Sequence, residues 1–316
     1  MSAAEKFISR LPFSAQLGKL LARFGFSPRG LVVAIPSIWL FLFFLVPFLV
    51  VAKISLSEAA IARPPYLPIL EWKDGFLNLS LNFGNYLFLA EDPLYYSAFL
   101  ESLTIAGFST LFALLIGFPM AYLIARSPDN TRNILLMLVI LPFWSSFLLR
   151  VYAWIGILKT KGVINGFLMS LGIIDDPIVM MQTDFAVYVG IVYTYLPFMI
   201  LPLYSNLVKL DETLLEAASD LGASPLTTFF TITLPLSLPG IFAGSLLVFI
   251  PAVGEFVIPA LLGGPDTLMI GKILWNEFFS NRDWPVASAV AIAMLFVLVI
   301  PVMFLQKAQQ ADGGDA

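Results

Sequence analysis

The stretch Phe185-Ala-Val-Tyr-Val-Gly-Ile-Val-Tyr-Thr-Tyr-Leu-Pro-Phe-Met-Ile-Leu-Pro-Leu-Tyr-Ser-Asn-Leu-Val208 runs without one Asp, Glu, Lys or Arg. It is long enough to cross a hydrocarbon layer as a helix, which takes about 20 residues. Five further stretches qualify on either side: about Leu31–Ala52, Ser97–Ala125, Ile134–Leu158, Leu238–Leu262 and Val286–Leu305. Pro36, Pro47, Pro119, Pro142, Pro197, Pro202, Pro251 and Pro301 lie inside these stretches. In water such prolines argue against helix; in a bilayer bundle, neighbours can satisfy the freed carbonyls. The expected fold class is all-α: a polytopic membrane protein of six transmembrane helices.

Composition agrees. Of the 316 residues 59% are hydrophobic and 12% charged, with a mean hydropathy of +0.91. Soluble domains lie near 45–50% apolar and about 25% charged. There is no Cys and no His. That excludes thiol nucleophiles, disulfides and His-based metal or acid–base sites. No catalytic residue and no metal site is assigned.

The chain divides into a basic N-terminal tail at 1–29, a transmembrane domain at 30–307 and a short C-terminal tail at 308–316. The first tail carries Lys6, Arg10, Lys19, Arg23 and Arg29 against Glu5. The positive-inside rule therefore predicts a cytoplasmic N-terminus, and six spans return the C-terminus to the same side. Arg126 and Arg132 fall on a cytoplasmic turn in this arrangement. From Glu5 to Phe26 the tail is either a basic amphipathic helix on the membrane surface or a solvated tail. The first span lacks an Ala-x-Ala exit and is not expected to be a cleaved signal.

The loop at 209–235 carries the most information. It reads Asp211-Glu-Thr-Leu-Leu-Glu-Ala-Ala-Ser-Asp-Leu-Gly222, then Ala-Ser-Pro-Leu-Thr-Thr-Phe-Phe-Thr-Ile-Thr-Leu-Pro235. Asp211 suits an N-cap, Gly222 a left-handed C-terminal position, and Ser224-Pro225 a second helix start. Two short helices joined at a sharp bend are predicted. Glu212, Glu216 and Asp220 make the loop acidic, and Ala217 and Ala218 give it a small-residue face. That combination suits either docking to a basic groove of a partner or a solvated surface helix.

Glu216-Ala217-Ala218, three residues, Gly222, nine residues, Ile232-x-Leu234-Pro235 resembles the EAA motif of ABC importer permeases. The resemblance implies a type I ABC importer permease-like fold with a cytoplasmic coupling helix. It further implies that Glu216, Ala217, Ala218, Asp220, Gly222, Ile232, Leu234 and Pro235 meet a separate ATPase. Pro142-Phe-Trp-Ser-Ser-Phe-Leu-Leu-Arg-Val-Tyr-Ala-Trp154, Ile250-Pro-Ala-Val-Gly-Glu-Phe-Val-Ile-Pro259 and Asn281-Arg-Asp-Trp-Pro285 are similar to segments of polyamine-importer permeases, those for putrescine most of all. The implied partners are two copies of an ABC ATPase, a second homologous permease, a periplasmic substrate-binding protein and the lipid bilayer, with no nucleic acid. The chain has no Gly-x-x-x-x-Gly-Lys-Ser/Thr phosphate loop. It is expected to bind no cofactor itself, ATP and Mg²⁺ belonging to the ATPase. The implied location is the bacterial inner membrane.

Glu255 lies inside the fifth stretch, where a carboxyl group is costly and normally faces a wet or protein interior. It suits contact with a cationic solute, or a structural pair with Arg150 of the third stretch. Pro251 and Gly254 can unwind the helix beside it. Trp144, Tyr152, Trp154, Tyr193 and Tyr195 supply aromatic faces for cation–π contact, or simple packing. Asp266, Asp283 and Trp284, in the loop before the sixth stretch, are candidate receptor contacts or turn formers.

Overall fold

The computed structural model describes residues 28–73 and 76–312. The basic tail before residue 28 and the final residues 313–316 lie outside the described residues, as does Asp74. The described residues cluster into two compact units: residues up to Asn85 together with Trp284–Ile292, and Tyr86–Asp283 together with the residues after Ile292.

In the first unit, α1 (Pro28–Leu40) passes through a wide turn at Phe41–Leu45 into α2 (Val46–Ser55). Pro47 explains the turn. It has no N–H to return to the carbonyl four residues back, so the helix widens just ahead of it. A small antiparallel hairpin follows, β1 (Leu70–Lys73) with β2 (Phe76–Leu79), Leu70 opposite Leu79. The all-α expectation does not include this pair. Asn85 closes the segment: its side-chain amide donates to the carbonyls of Ser55 and Ser57, both at 2.9 Å.

The second unit contains α3 (Gly84–Glu91, whose first two residues belong to the first unit), α4 (Pro93–Arg126), α5 (Asp129–Ile140), α6 (Phe147–Leu158), α7 (Val163–Ser170), α8 (Asp184–Leu207), α9 (Glu212–Asp220), α10 (Pro225–Thr228), α11 (Leu234–Val253), α12 (Val257–Leu261) and α13 (Ile270–Asn276). The last helix, α14 (Trp284–Asp312), has an apolar described part at Trp284–Ile300. Each of the six apolar stretches is thus helical. By length and composition four helical runs among the described residues can cross a membrane, five if one bent pair counts as a single span; α14 adds a shorter apolar helix at Trp284–Ile300.

The core of the second unit is the packing of α4, α8 and α11. Ala113, Phe118, Ala121, Met199, Ile200, Leu203 and Val248 are buried there. Small residues set the spacing, as expected where lipid removes the hydrophobic drive between helices. Gly240 and Gly244, four apart on α11, lie against α8. A methyl group at Gly240 would sit 2.8 Å from the Asn206 Cβ. At Gly244 it would sit 2.8 Å from the Met199 sulfur and 3.0 Å from the Met199 carbonyl oxygen. Gly117 of α4 meets Met199 from the other side.

Two expected spans are not continuous helices. The third, expected at 134–158, bends by 92° between Asp129–Trp144 and Phe147–Ser170. Pro142 tightens Leu141–Trp144 into a narrow turn, and Ser145 closes it by donating from both its N–H and its hydroxyl to Pro142 O, at 3.2 and 2.7 Å. The fifth, expected at 238–262, begins earlier and breaks before its end. α10 continues through a wide turn at Phe229–Thr233 into α11, so the second short helix of the 209–235 loop is the start of the span. Pro235 causes this turn as Pro47 causes the first. After Val253 the helix stops, and α12 restarts at Val257.

Gly244→Val places two methyl groups where backbone and sulfur already touch. It should destabilise the protein by about 1–3 kcal/mol through overpacking. Thermal unfolding of the purified protein in detergent is expected to show a lower midpoint, with Gly107→Ala, which meets open space, near the original value.

Candidate coupling loop and intramembrane carboxyl site

The acidic loop forms from local chemistry. Asp211 caps α9 by accepting from the Thr213 N–H at 3.0 Å. That N–H holds the Asp211 carboxyl below the usual carboxylate range. The resulting stabilisation is therefore present above the ordinary Asp range and is lost as pH falls through the lowered value. Gly222 ends the helix at φ +78°, a conformation open to glycine at low cost. Ser224 accepts from the Thr227 N–H at 3.2 Å and starts α10. Glu216, Ala217 and Asp220 lie exposed on α9, while Ala218 is buried. Ile232 belongs to the wide turn, and Leu234 and Pro235 to the start of α11.

The tip itself is apolar. Leu221 is 89% exposed, and Leu214, Leu226 and Phe230 are also exposed. An acidic helix with a bare leucine at its end offers a greasy point inside a charged rim. The sequence reading passed over Leu221, although its place directly before Gly222 marks it as the residue at the bend. Arg126, the last residue of α4, bonds Glu212 at 2.6 Å and stacks over Tyr122. A cavity of about 510 Å³ lies beside the loop, lined by Tyr122, Leu215, Ser219, Phe229 and Thr233 among others.

Glu255 occupies the break in the fifth span and is 8% exposed. Its Oε1 accepts from the N–H groups of Phe256, Val257 and Ile258 at 3.1, 2.9 and 3.4 Å. Opening α12 leaves its first N–H groups without carbonyl partners, and the carboxyl supplies them. Its Oε2 accepts from the Tyr195 hydroxyl at 2.6 Å. Two glycines let neighbouring helices press close. A methyl at Gly271 would lie 2.4 Å from Gly254 O, and one at Gly190 would strike Ile258 and Leu262. Trp275 stacks on Phe256, with ring centres 4.3 Å apart and planes 10° from parallel. Gly271 and Trp275 were not picked out by sequence, since only the fold brings α13 to the break.

Arg150 does not bond Glu255. Its guanidinium lies over the rings of Phe143 and Phe147 at 5.5 and 5.9 Å, with Nε and Nη1 buried and unbonded among the described residues. Phe143 meets Phe198, and Phe198 meets Tyr195, so Arg150, Tyr195 and Glu255 stand along one run of aromatic contacts. Trp144 and Tyr152 are not part of it and lie exposed at 76% and 56%. Trp154 packs edge-on against Tyr193, and both line an apolar groove of about 740 Å³ with Phe108, Phe112 and Tyr188. Asp266 is exposed on a loop fixed beside it: Thr267 donates to Asp184 at 2.8 Å. Asp283 is half-buried and donates its N–H to Glu277 O at 2.9 Å. Trp284 is half-buried, its ring 6.3 Å from that of Tyr66.

Comparison with known proteins places this architecture. Residues 15–312 match the family model described as binding-protein-dependent transport system inner membrane component. The spermidine/putrescine transport system permease protein PotB of Escherichia coli strain K12 is 45% identical over 235 residues, covering 74% of this chain and 85% of that one. The protein of the same name from Haemophilus influenzae is 40% identical over 284 residues, 89% and 94% of the two chains. Among solved structures, a bacterial ABC transporter involved in import of the acidic polysaccharide alginate superposes with a TM-score of 0.68. It is 18% identical and covers 94% of this chain and 99% of that one, a likeness of fold alone. The chain therefore belongs to the inner-membrane components of binding-protein-dependent transport systems, the permeases of ABC importers, and is a transport subunit rather than an enzyme.

Proposed function

We propose that this chain is one permease subunit of an ATP-driven polyamine importer, with putrescine as the foremost solute. The observation that carries the coupling role is the α9 loop: an exposed acidic helix stopped at Gly222, with Leu221 projecting from its end. Such a knob fits a cleft on an ATPase subunit. Two copies of the ATPase, each holding ATP and Mg²⁺, would engage this chain and a second homologous permease. A periplasmic binding protein would deliver solute to the outer loops that carry Asp266, Asp283 and Trp284. Both termini would face the cytoplasm, as Arg126 and Arg132 at the α4–α5 turn favour. Alternation between inward- and outward-open states would follow closure of the ATPase.

The polyamine assignment rests on the curated relatives named for spermidine and putrescine and on the chemistry around Glu255. A diammonium ion needs carboxyl acceptors and aromatic faces. Glu255, Tyr195 and the nearby rings supply both, with Arg150, Trp144 and Tyr152 as further candidates along the pathway. Oε2 of Glu255 accepts one bond, leaving a second lone-pair position for an ammonium group.

Uptake of labelled putrescine by vesicles carrying the whole complex tests the assignment. Uptake should require ATP and be competed by unlabelled putrescine but not by a neutral or anionic solute; competition by the latter would overturn the polyamine reading. Glu216→Lys is expected to abolish uptake while the protein still inserts, and normal uptake would remove the docking role. Glu255→Gln should weaken uptake or receptor-stimulated ATP hydrolysis roughly tenfold, about 1.4 kcal/mol. Unchanged rate and apparent affinity would retire Glu255 as a solute contact.

A further inference from the structure

α4 is a single uninterrupted helix of 34 residues, the longest among the described elements. Its two ends are held by different loops. At the C-terminal end Arg126 bonds Glu212 in the first turn of α9 at 2.6 Å. About 37 Å away along the helix, at 1.5 Å per residue, the other end holds the segment between α12 and α14. There Glu101 accepts from the Leu268 N–H at 3.1 Å, and Ser102 accepts from the Ile270 N–H at 2.7 Å. Nearly two turns further on, the Tyr95 hydroxyl donates to Glu277 at 3.0 Å.

α8 and α11 are joined to the α9 loop by the chain itself. α4 is not, and among the described residues Arg126–Glu212 is the ion pair that ties it there. The arginine is largely buried, with 20% of its side chain exposed, whereas Glu212 is 72% exposed. Nε and Nη2 of Arg126 are buried without a partner among the described residues. Movement of Glu212 away from this mostly buried cation would leave the charge uncompensated, a cost that favours the two groups moving together. A cavity of about 510 Å³ lies beside α9, lined by Leu215 and Ser219 of α9 and by Tyr122 of α4.

We propose that α4 is a rod carrying movement of the α9 loop to the loop between α12 and α14, with Arg126 as the positioning residue that grips the moving end. The proposal rests on the reading of α9 as the ATPase-docking loop. It assigns Arg126 a role in transmission, not in docking or in solute contact. Glu101, Ser102 and Tyr95 deliver the motion at the far end, where the fixed segment leads on to Asp283.

The test uses the complete complex in proteoliposomes with its binding protein and compares basal with receptor-stimulated ATP hydrolysis. Arg126→Glu is expected to leave the ATPase subunit bound and the basal rate within about twofold. The receptor-stimulated increment and putrescine uptake should fall on the order of tenfold, within the usual range for coupling between sites. Arg126→Lys keeps the charge and should retain most of the increment. Arg126→Glu combined with Glu212→Arg should restore it to within about threefold of the unaltered complex. An unchanged increment in Arg126→Glu, or no recovery in the exchanged pair, overturns the rod proposal alone. If the unaltered complex shows no receptor-stimulated hydrolysis, the transport reading fails, and this proposal with it.

Discussion

Hydrocarbon offers no hydrogen bonds, so backbone N–H and C=O groups within a membrane must find partners inside the protein. An unbroken helix meets that demand alone. This chain breaks its helices at Ser145–Ser146 and at Gly254–Phe256, and each break is supplied locally. The Ser145 hydroxyl takes up Pro142 O, and the Glu255 carboxyl takes three backbone N–H groups at the head of α12. Prolines inside the spans are accommodated by the same rule. The wide turns ahead of Pro47 and Pro235 absorb the missing donor without ending the helix.

This constraint gives Glu255 two kinds of work. Its Oε1 is occupied in holding the break together, while Oε2 faces Tyr195 and retains acceptor capacity. Loss of the Oε1 acceptor would strand three backbone N–H groups, whereas Gln keeps an acceptor oxygen there and removes only the charge. The glycines at 190 and 271 show how closely the surroundings are fitted: at either position even one methyl group would collide with the chain around the break.

The α9 loop follows a different logic. It is built from local signals that need no tertiary help: an Asp cap, an acidic first turn, a left-handed glycine and a Ser-Pro start. Arg126 ties it to the bundle through Glu212, and a cavity lies beside it. A loop that is well formed in itself can move as a body. The long α4, pinned at both ends to different loops, is the element through which such movement reaches across the molecule.

By itself the sequence determined the number and order of apolar helices, the caps and bend of the α9 loop, and the family. These are readable because hydropathy and capping depend on neighbours a few residues away. Only the tertiary structure decided how the third and fifth spans break. A proline signals a possible kink but not its angle, which depends on what the neighbouring helices can satisfy. It also decided the partner of Glu255. The sequence points to Arg150 as a structural pair for Glu255 and to Tyr195 as an aromatic face alone; the packing of α8 against the break makes Tyr195 the partner, while Arg150 lies over Phe143 and Phe147. The grip of Arg126 on Glu212 and the closure of Gly271 onto residue 254 join residues far apart in the chain, and no local pattern could announce them.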